Sequence, residues 1–226
     1  MTSDHRPQVA AQRRERMRSR LVQAAFETAS LGGIAAVTID AVIAKAEVSR
    51  GSFYKYFDTP QALMHDVGQV VVDALLEAMN PLVAPLIDPA ERIAVGVRVV
   101  LHMGKRYPAL AGFLARSGWP AVDLTPKFYS VLGNTIESGM NEGRLSRMPV
   151  RLAIANVVGT LMGALHTEFT QAQENDFQNL AAAVVLRGLG LKEADARQIA
   201  SAELPIDLAL VEQALGRLRD LKGAPP

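Results

Sequence analysis

The sequence predicts an all-α protein, and three observations lead there. Ala, Leu, Val, Arg and Glu dominate nearly every segment, β-branched runs in strict alternation are missing, and Gly and Pro cut the chain into helix-length pieces. With 226 residues, 49% of them hydrophobic and 21% charged, the chain can bury a substantial core. It contains no cysteine, which excludes disulfides, thiolate metal sites and Cys nucleophiles and makes a reducing cytoplasm the simplest compartment to expect. The N-terminus is charged where a signal peptide would be apolar, and the longest strongly apolar run, residues 152–165, contains Asn156. Neither secretion nor membrane spanning is expected.

The first helix is expected over residues 12–30, with Met17, Leu21 and Ala25 as its inner stripe and Gly32 and Gly33 as its stop. Thr38 can cap a short second helix over 39–46, and Ser49 repeats the device after only Glu47 and Val48, opening a third helix over 50–57. Two short helices joined by so tight a turn form a helix-turn-helix. Asp58 or Thr59 caps a fourth helix, with Pro60 tolerated at its first position and Pro81 expected to stop it after Asn80. Further helices are expected over 88–106, 108–117, 120–142, 149–173, 176–189, 193–202 and 205–221, and disordered ends at 1–11 and in the terminal GAPP.

The net charge of +1 hides an asymmetry: residues 1–60 hold nine Lys and Arg against six Asp and Glu, and six Arg lie within the first twenty positions. Alone, that basic end is as readily a solvated tail as a nucleic-acid contact. The aromatics say more. Four of the chain's eleven Phe and Tyr occupy residues 53–57 beside Arg50 and Lys55. At about 100 degrees per residue, Phe53 and Phe57 share one face, Gly51, Ser52 and Lys55 project from the other, and Tyr54 and Tyr56 stand at the flanks. The Phe pair is expected to lock this helix onto its neighbours. Its outer face then carries what a DNA-reading helix needs: cations for phosphates or guanine edges, phenols for phosphate oxygens, a glycine that permits close approach, and the positive end of a helix dipole.

The stretch GGIAAVTIDAVIAKAEVSRGSFYKYFDTPQAL resembles the N-terminal DNA-binding domain of the TetR family of bacterial transcriptional regulators. Gly33, Thr38, Val42, Ala44, Ala46, Val48, Ser49, Gly51, Tyr54, Phe57 and Leu63 stand where the family pattern expects such residues. The resemblance implies a helix-turn-helix DNA-binding domain over 12–59 and a helical effector-binding and dimerisation domain over 60–222. It also implies that Thr38 binds a phosphate, that Arg50, Gly51 and Ser52 approach bases, and that Tyr54 and Tyr56 hold the DNA backbone. With Ser49 as the cap and Lys55 exposed, these eight form the candidate DNA-binding set. Arg13, Arg14, Arg16, Arg18 and Arg20 precede or enter the first helix, where one or two could reach flanking backbone or a minor groove. Three positions depart from the pattern. Glu47 replaces a common glycine, which implies a less glycine-dependent turn; Pro60 replaces a common phosphate-binding lysine; Ala29 replaces a bulky aromatic, with local repacking against Phe26.

Ala155, Gly159, Gly163 and Thr167 recur every four residues, a ridge of small side chains that lets another helix pack closely, within the chain or across a dimer. The resemblance implies the dimer, formed by helices 149–173 and 176–189. Two copies would present their reading helices roughly 34–36 Å apart to a near-palindromic double-stranded operator. His102, Met103, Tyr107, Phe113, Trp119, Met162 and His166 could line an apolar ligand cavity or belong to the core. The resemblance implies a small-molecule effector, with repression relieved when it binds, and no cofactor or metal. The chain has no G-x-S-x-G, Walker A, H-E-x-x-H or Cys/His metal spacing, so an enzyme is not expected. The alternative is a helical small-molecule-binding protein that does not touch DNA.

Overall fold

A computed structural model describes residues 6–106, 125–170 and 176–204. Among these residues every regular element is helical. Helix α1 (Arg6–Gly32) begins six residues before the expected start. Pro7 does not delay it, because a first-turn N–H has no helical partner to lose. Leu21, Val22, Ala24, Ala25 and Ala29 are buried on the side facing its neighbours. Gly33, at φ 73°, ends the helix by bonding its N–H to the Ala29 carbonyl at 2.9 Å.

A single 3-10 turn (Ile34–Ala36) leads into α2 (Ile39–Ala46), and α3 (Arg50–Phe53) follows. The latter has four helical residues rather than the expected eight. Turn bonds from Lys55 to Ser52 and from Tyr56 and Phe57 to Phe53 carry the coil onward. Phe53 and Phe57 are 0% and 2% exposed and pack with ring centroids 6.0 Å apart; burying each stabilises the domain by about 1.5–3 kcal/mol. Helix α4 (Pro60–Val83) takes Thr59 as its cap and runs past Pro81, which therefore does not stop it at Asn80. The proline comes in the last turn, where one lost N–H bond is tolerated, and Ala84 N–H still reaches the Asn80 carbonyl at 2.8 Å.

Helix α5 (Pro89–Arg106) is the core of the C-terminal part, with Ile93, Val97, Val99, Leu101 and Met103 buried. Around it pack α4, α6 (Pro126–Asn141), α7 (Val150–Thr170), α8 (Phe177–Gly188) and α9 (Glu193–Ser201). Arg98 on α5 is buried and donates to the Ala202 carbonyl at 2.7 Å, tying the residue after α9 to the core; burial holds its pKa below the usual arginine value. Helix α6 begins at Pro126, not at Pro120. Thr125 accepts from Phe128 N–H at 3.0 Å and donates to Asp73 of α4 at 2.8 Å, a cap and a tether in one hydroxyl. The helices expected at 108–117 and 205–221 lie outside the described residues.

Helix α4 packs on α1 at one end and on α5 and α6 at the other, so it connects the helix-turn-helix to the C-terminal helices. Helix α7 is long and apolar enough over Val150–Glu168 to cross a membrane by length and composition. It is packed on one side by α5, α6 and α8, and about a third of that stretch is buried.

Candidate nucleic-acid interface and ligand cavity

The candidate interface is assembled by two hydroxyl caps. Thr38 Oγ1 accepts from Ala41 N–H at 3.2 Å and Ser49 Oγ accepts from Ser52 N–H at 3.1 Å, which fixes where α2 and α3 begin. Capping uses acceptor lone pairs and leaves a hydroxyl proton to donate. Thr38 is exposed and keeps that donor; Ser49 sits 3.0 Å from Ser52 Oγ. With Phe53 and Phe57 inside, Arg50, Gly51, Tyr54 and Lys55 are exposed and Ser52 and Tyr56 are half-buried. The outer face read from helical geometry is thus present although α3 is short. So short a helix supplies little dipole, and the attraction for an anion rests on side chains.

Two ion pairs on this surface had no signal in the sequence. Arg50 Nη2 donates to Asp40 Oδ1 at 2.8 Å, and Arg20 Nη2 to Glu47 Oε2 at 3.1 Å. Asp40 lies ten positions from Arg50, and only the turn between α2 and α3 brings them together. That turn also corrects the expectation for Glu47. Its backbone is at φ 50°, ψ 48°, the left-handed conformation that glycine adopts without cost, so the turn keeps its glycine-like geometry with a carboxylate in place. Ala29 is buried, and Phe26 is half-buried against the core.

A cavity of about 430 Å³ opens between α4, α5, α6 and α7. Val97, Val100, Phe128, Val157 and Leu161 line its body; Glu77, Asn80, Arg92, Lys127 and Thr135 supply its polar groups. Lys127 Nζ bonds Glu77 Oε1 at 2.8 Å, and that bond raises the lysine pKa. Of the sequence-predicted pocket residues, the four that are described do not line this cavity: Met103 is buried in the core, His102 and Met162 are half-buried and His166 is exposed. Tyr107, Phe113 and Trp119 lie outside the described residues. Of the small-residue ridge, Gly159 and Gly163 are exposed and Ala155 and Thr167 half-buried. Leu152 and Val184, 59% and 53% exposed, are further large apolar side chains of α7 and α8 in solvent.

A tetracyclin repressor-like C-terminal domain model matches residues 88–202, half of the chain, and a model of bacterial regulatory proteins of the tetR family matches residues 21–67. The chain belongs to the TetR family. Two uncharacterized HTH-type transcriptional regulators from Mycobacterium tuberculosis strains are 27% identical over 112 residues, 50% of this chain and 55% of theirs. The chain thus matches about half the length of these curated relatives. Among solved structures, RolR in complex with resorcinol is similar at a TM-score of 0.77 and 26% identity, over 87% of this chain and 98% of that one. FadR from Bacillus subtilis in complex with stearoyl-CoA shares the fold at a TM-score of 0.58 and 19% identity, over 76% and 97% of the two chains.

In this TetR-family chain the N-terminal match ends on α4 and the C-terminal match begins just before α5. Asp73 and Glu77, which hold the start of α6, lie on α4 in the interval between the two matches. The sequence residues chosen for the cavity were aromatics, methionines and histidines, whereas valines and leucines from four helices make up half of the cavity lining. No local pattern marks such residues, because only long-range packing brings them to one hollow.

Proposed function

We propose that the protein is a homodimeric, sequence-specific DNA-binding transcriptional regulator, a repressor released from a near-palindromic operator when a small molecule occupies the cavity. The observation that carries the reading is the division of residues 50–57: Phe53 and Phe57 are buried while Arg50, Gly51, Tyr54 and Lys55 stand exposed beside two hydroxyl caps. A helical hairpin serving only as structure gains nothing from leaving that set in solvent. Thr38, Ser52 and Tyr56 complete the proposed contact surface, and DNA binding places the protein in the cytoplasm.

The dimer is supported by α7. Its exposed side carries Leu152, Gly159 and Gly163, and a Cβ built on Gly163 would meet no atom within 4 Å. Packing within the protomer therefore does not require a glycine there, whereas close approach of a second helix would. The effector is supported by the cavity and by its contact with α4, the helix that also packs on α1. RolR, similar over most of both chains, was solved with resorcinol bound. A ligand that binds better to one setting of α4 shifts the population of DNA-competent dimers by its differential affinity.

The test is selection of purified protein against random duplex DNA at physiological salt, with an Arg50→Ala, Tyr54→Phe double variant in parallel. An enriched palindrome that the variant fails to enrich is the expected result. Featureless binding by both proteins would overturn the reading, since phosphate contact alone carries no sequence information.

A further inference from the structure

We propose that the cavity takes an amphipathic carboxylate, an apolar body with one anionic head anchored on Arg92; this rests on the reading of the cavity as a ligand site. Arg92 lines the cavity, is half-buried, and has its Nε committed to the Leu86 carbonyl at 2.6 Å, which fixes the plane of the guanidinium. No carboxylate among the described residues pairs with it. The nearby acid is engaged elsewhere: both oxygens of Asp88 accept from Arg144, at 2.9 and 3.1 Å. The carboxylate in the lining, Glu77, is bonded to Lys127. The described lining therefore holds two cations against one anion.

A half-buried arginine beside an apolar wall favours one class of ligand. A neutral apolar molecule would strip water from the cation and return nothing, and a cationic one would add repulsion. A carboxylate matches the planar fork of the free Nη groups, and such charge-assisted pairs are the stronger hydrogen bonds. Ile93, Val97, Val100, Phe128, Val157 and Leu161 receive the apolar body. A volume of about 430 Å³ is that of a small-molecule site.

Calorimetric titration with decanoate, decanol and decylamine, each below its micelle concentration and at physiological salt, tests this. Decanoate is expected to bind at least ~10-fold more tightly than the other two, the margin of a charge-assisted bidentate contact. Arg92→Met should remove that margin while leaving decanol affinity unchanged, which shows the cavity still formed; Arg92→Lys should restore part of it. Equal binding of the three, preference for the amine, no binding at all, or an Arg92→Met variant that keeps the margin would each overturn the proposal. Operator release is measured separately with the selected palindrome. Decanoate that binds without releasing DNA sinks the repressor reading and leaves the ligand chemistry standing, whereas release by decanol or decylamine alone does the reverse.

Discussion

Arg18 of α1 reaches Asp66 of α4 with its Nε, and its guanidinium lies 5.4 Å from the centroid of the Phe57 ring. One side chain thereby ties together the basic first helix, the end of the coil proposed to read DNA and the helix that leads to the cavity. The two partners are unequally placed: the Arg18 side chain is 47% exposed and that of Asp66 16%. Deleting the acid leaves a cation free to turn to water; deleting the cation strands a carboxylate that is mostly buried and removes the cation–π contact. Arg18→Met should cost about 2 kcal/mol of unfolding free energy and Asp66→Ala no more than about 1 kcal/mol. Denaturant titration of both variants decides it, and equal costs would mean that Asp66 is solvated well enough not to need its partner.

Glu47 offers a stabilising change. Its left-handed backbone costs a residue with a Cβ about 1 kcal/mol, and its exposed pair with Arg20 returns only part of that. Glu47→Gly should raise stability by about 0.5 kcal/mol, whereas Glu47→Ala, which loses the pair and keeps the strain, should lower it. The glycine variant also frees Arg20 and removes a carboxylate from the proposed DNA face, so its DNA affinity should rise with a steeper salt dependence. Thermal melts and binding isotherms at several salt concentrations read both effects. A glycine variant less stable than the alanine one would contradict the strain argument.

How much of this was legible in the sequence depended on range. Thr38 and Ser49 act as caps as read, and of Asp58 and Thr59 it is Thr59 that caps α4, because a hydroxyl ahead of a helical run meets backbone N–H groups three residues away. Residues 53–57 divide as read, because helical periodicity is local. Pro81 and Pro120 misled for the opposite reason. Whether a proline ends or starts a helix depends on its surroundings: the last turn of α4 tolerates Pro81, while Thr125, held by Asp73, caps the start of α6 at Pro126. The cavity and the Asp40–Arg50 pair come from contacts between segments distant in sequence, and a periodicity argument contains no such term.

Arg50 and Lys55 should fail differently when removed. Arg50 is already oriented by Asp40 and stands beside exposed Gly51, where the proposed interface would let base edges approach most closely. Arg50→Ala should cost about 1–3 kcal/mol on the selected operator and relax the preference at one base position. Lys55, exposed on the same face, is expected to neutralise a phosphate. Lys55→Ala should weaken all sequences alike and reduce the slope of log K against log salt by about 1. Competition binding against operator and scrambled duplex, repeated across salt, separates the two. Loss of sequence preference in the lysine variant would move the base contact from Arg50 to Lys55.

Gly163 separates folding from association. In the protomer a side chain at this position meets open space, and its helix would gain about 1 kcal/mol when glycine is replaced by a good helix former. If α7 is the dimer face, the same side chain would hold the partner helix away and forfeit the close packing that a ridge of Ala155, Gly159 and Gly163 permits. Gly163→Leu should therefore leave the fold intact and raise the dimer dissociation constant by ~10-fold or more, the loss expected from a few buried contacts at an interface centre. Gly188 is the control. A Cβ there would collide with Asn156, whose Nδ2 donates to the Val185 carbonyl at 3.0 Å, so Gly188→Leu should damage the protomer itself. Sedimentation equilibrium across a concentration series, with melts at one fixed concentration, distinguishes the variants. A Gly163→Leu protein that associates as tightly as the parent would show that the ridge on α7 is not the surface through which two copies meet.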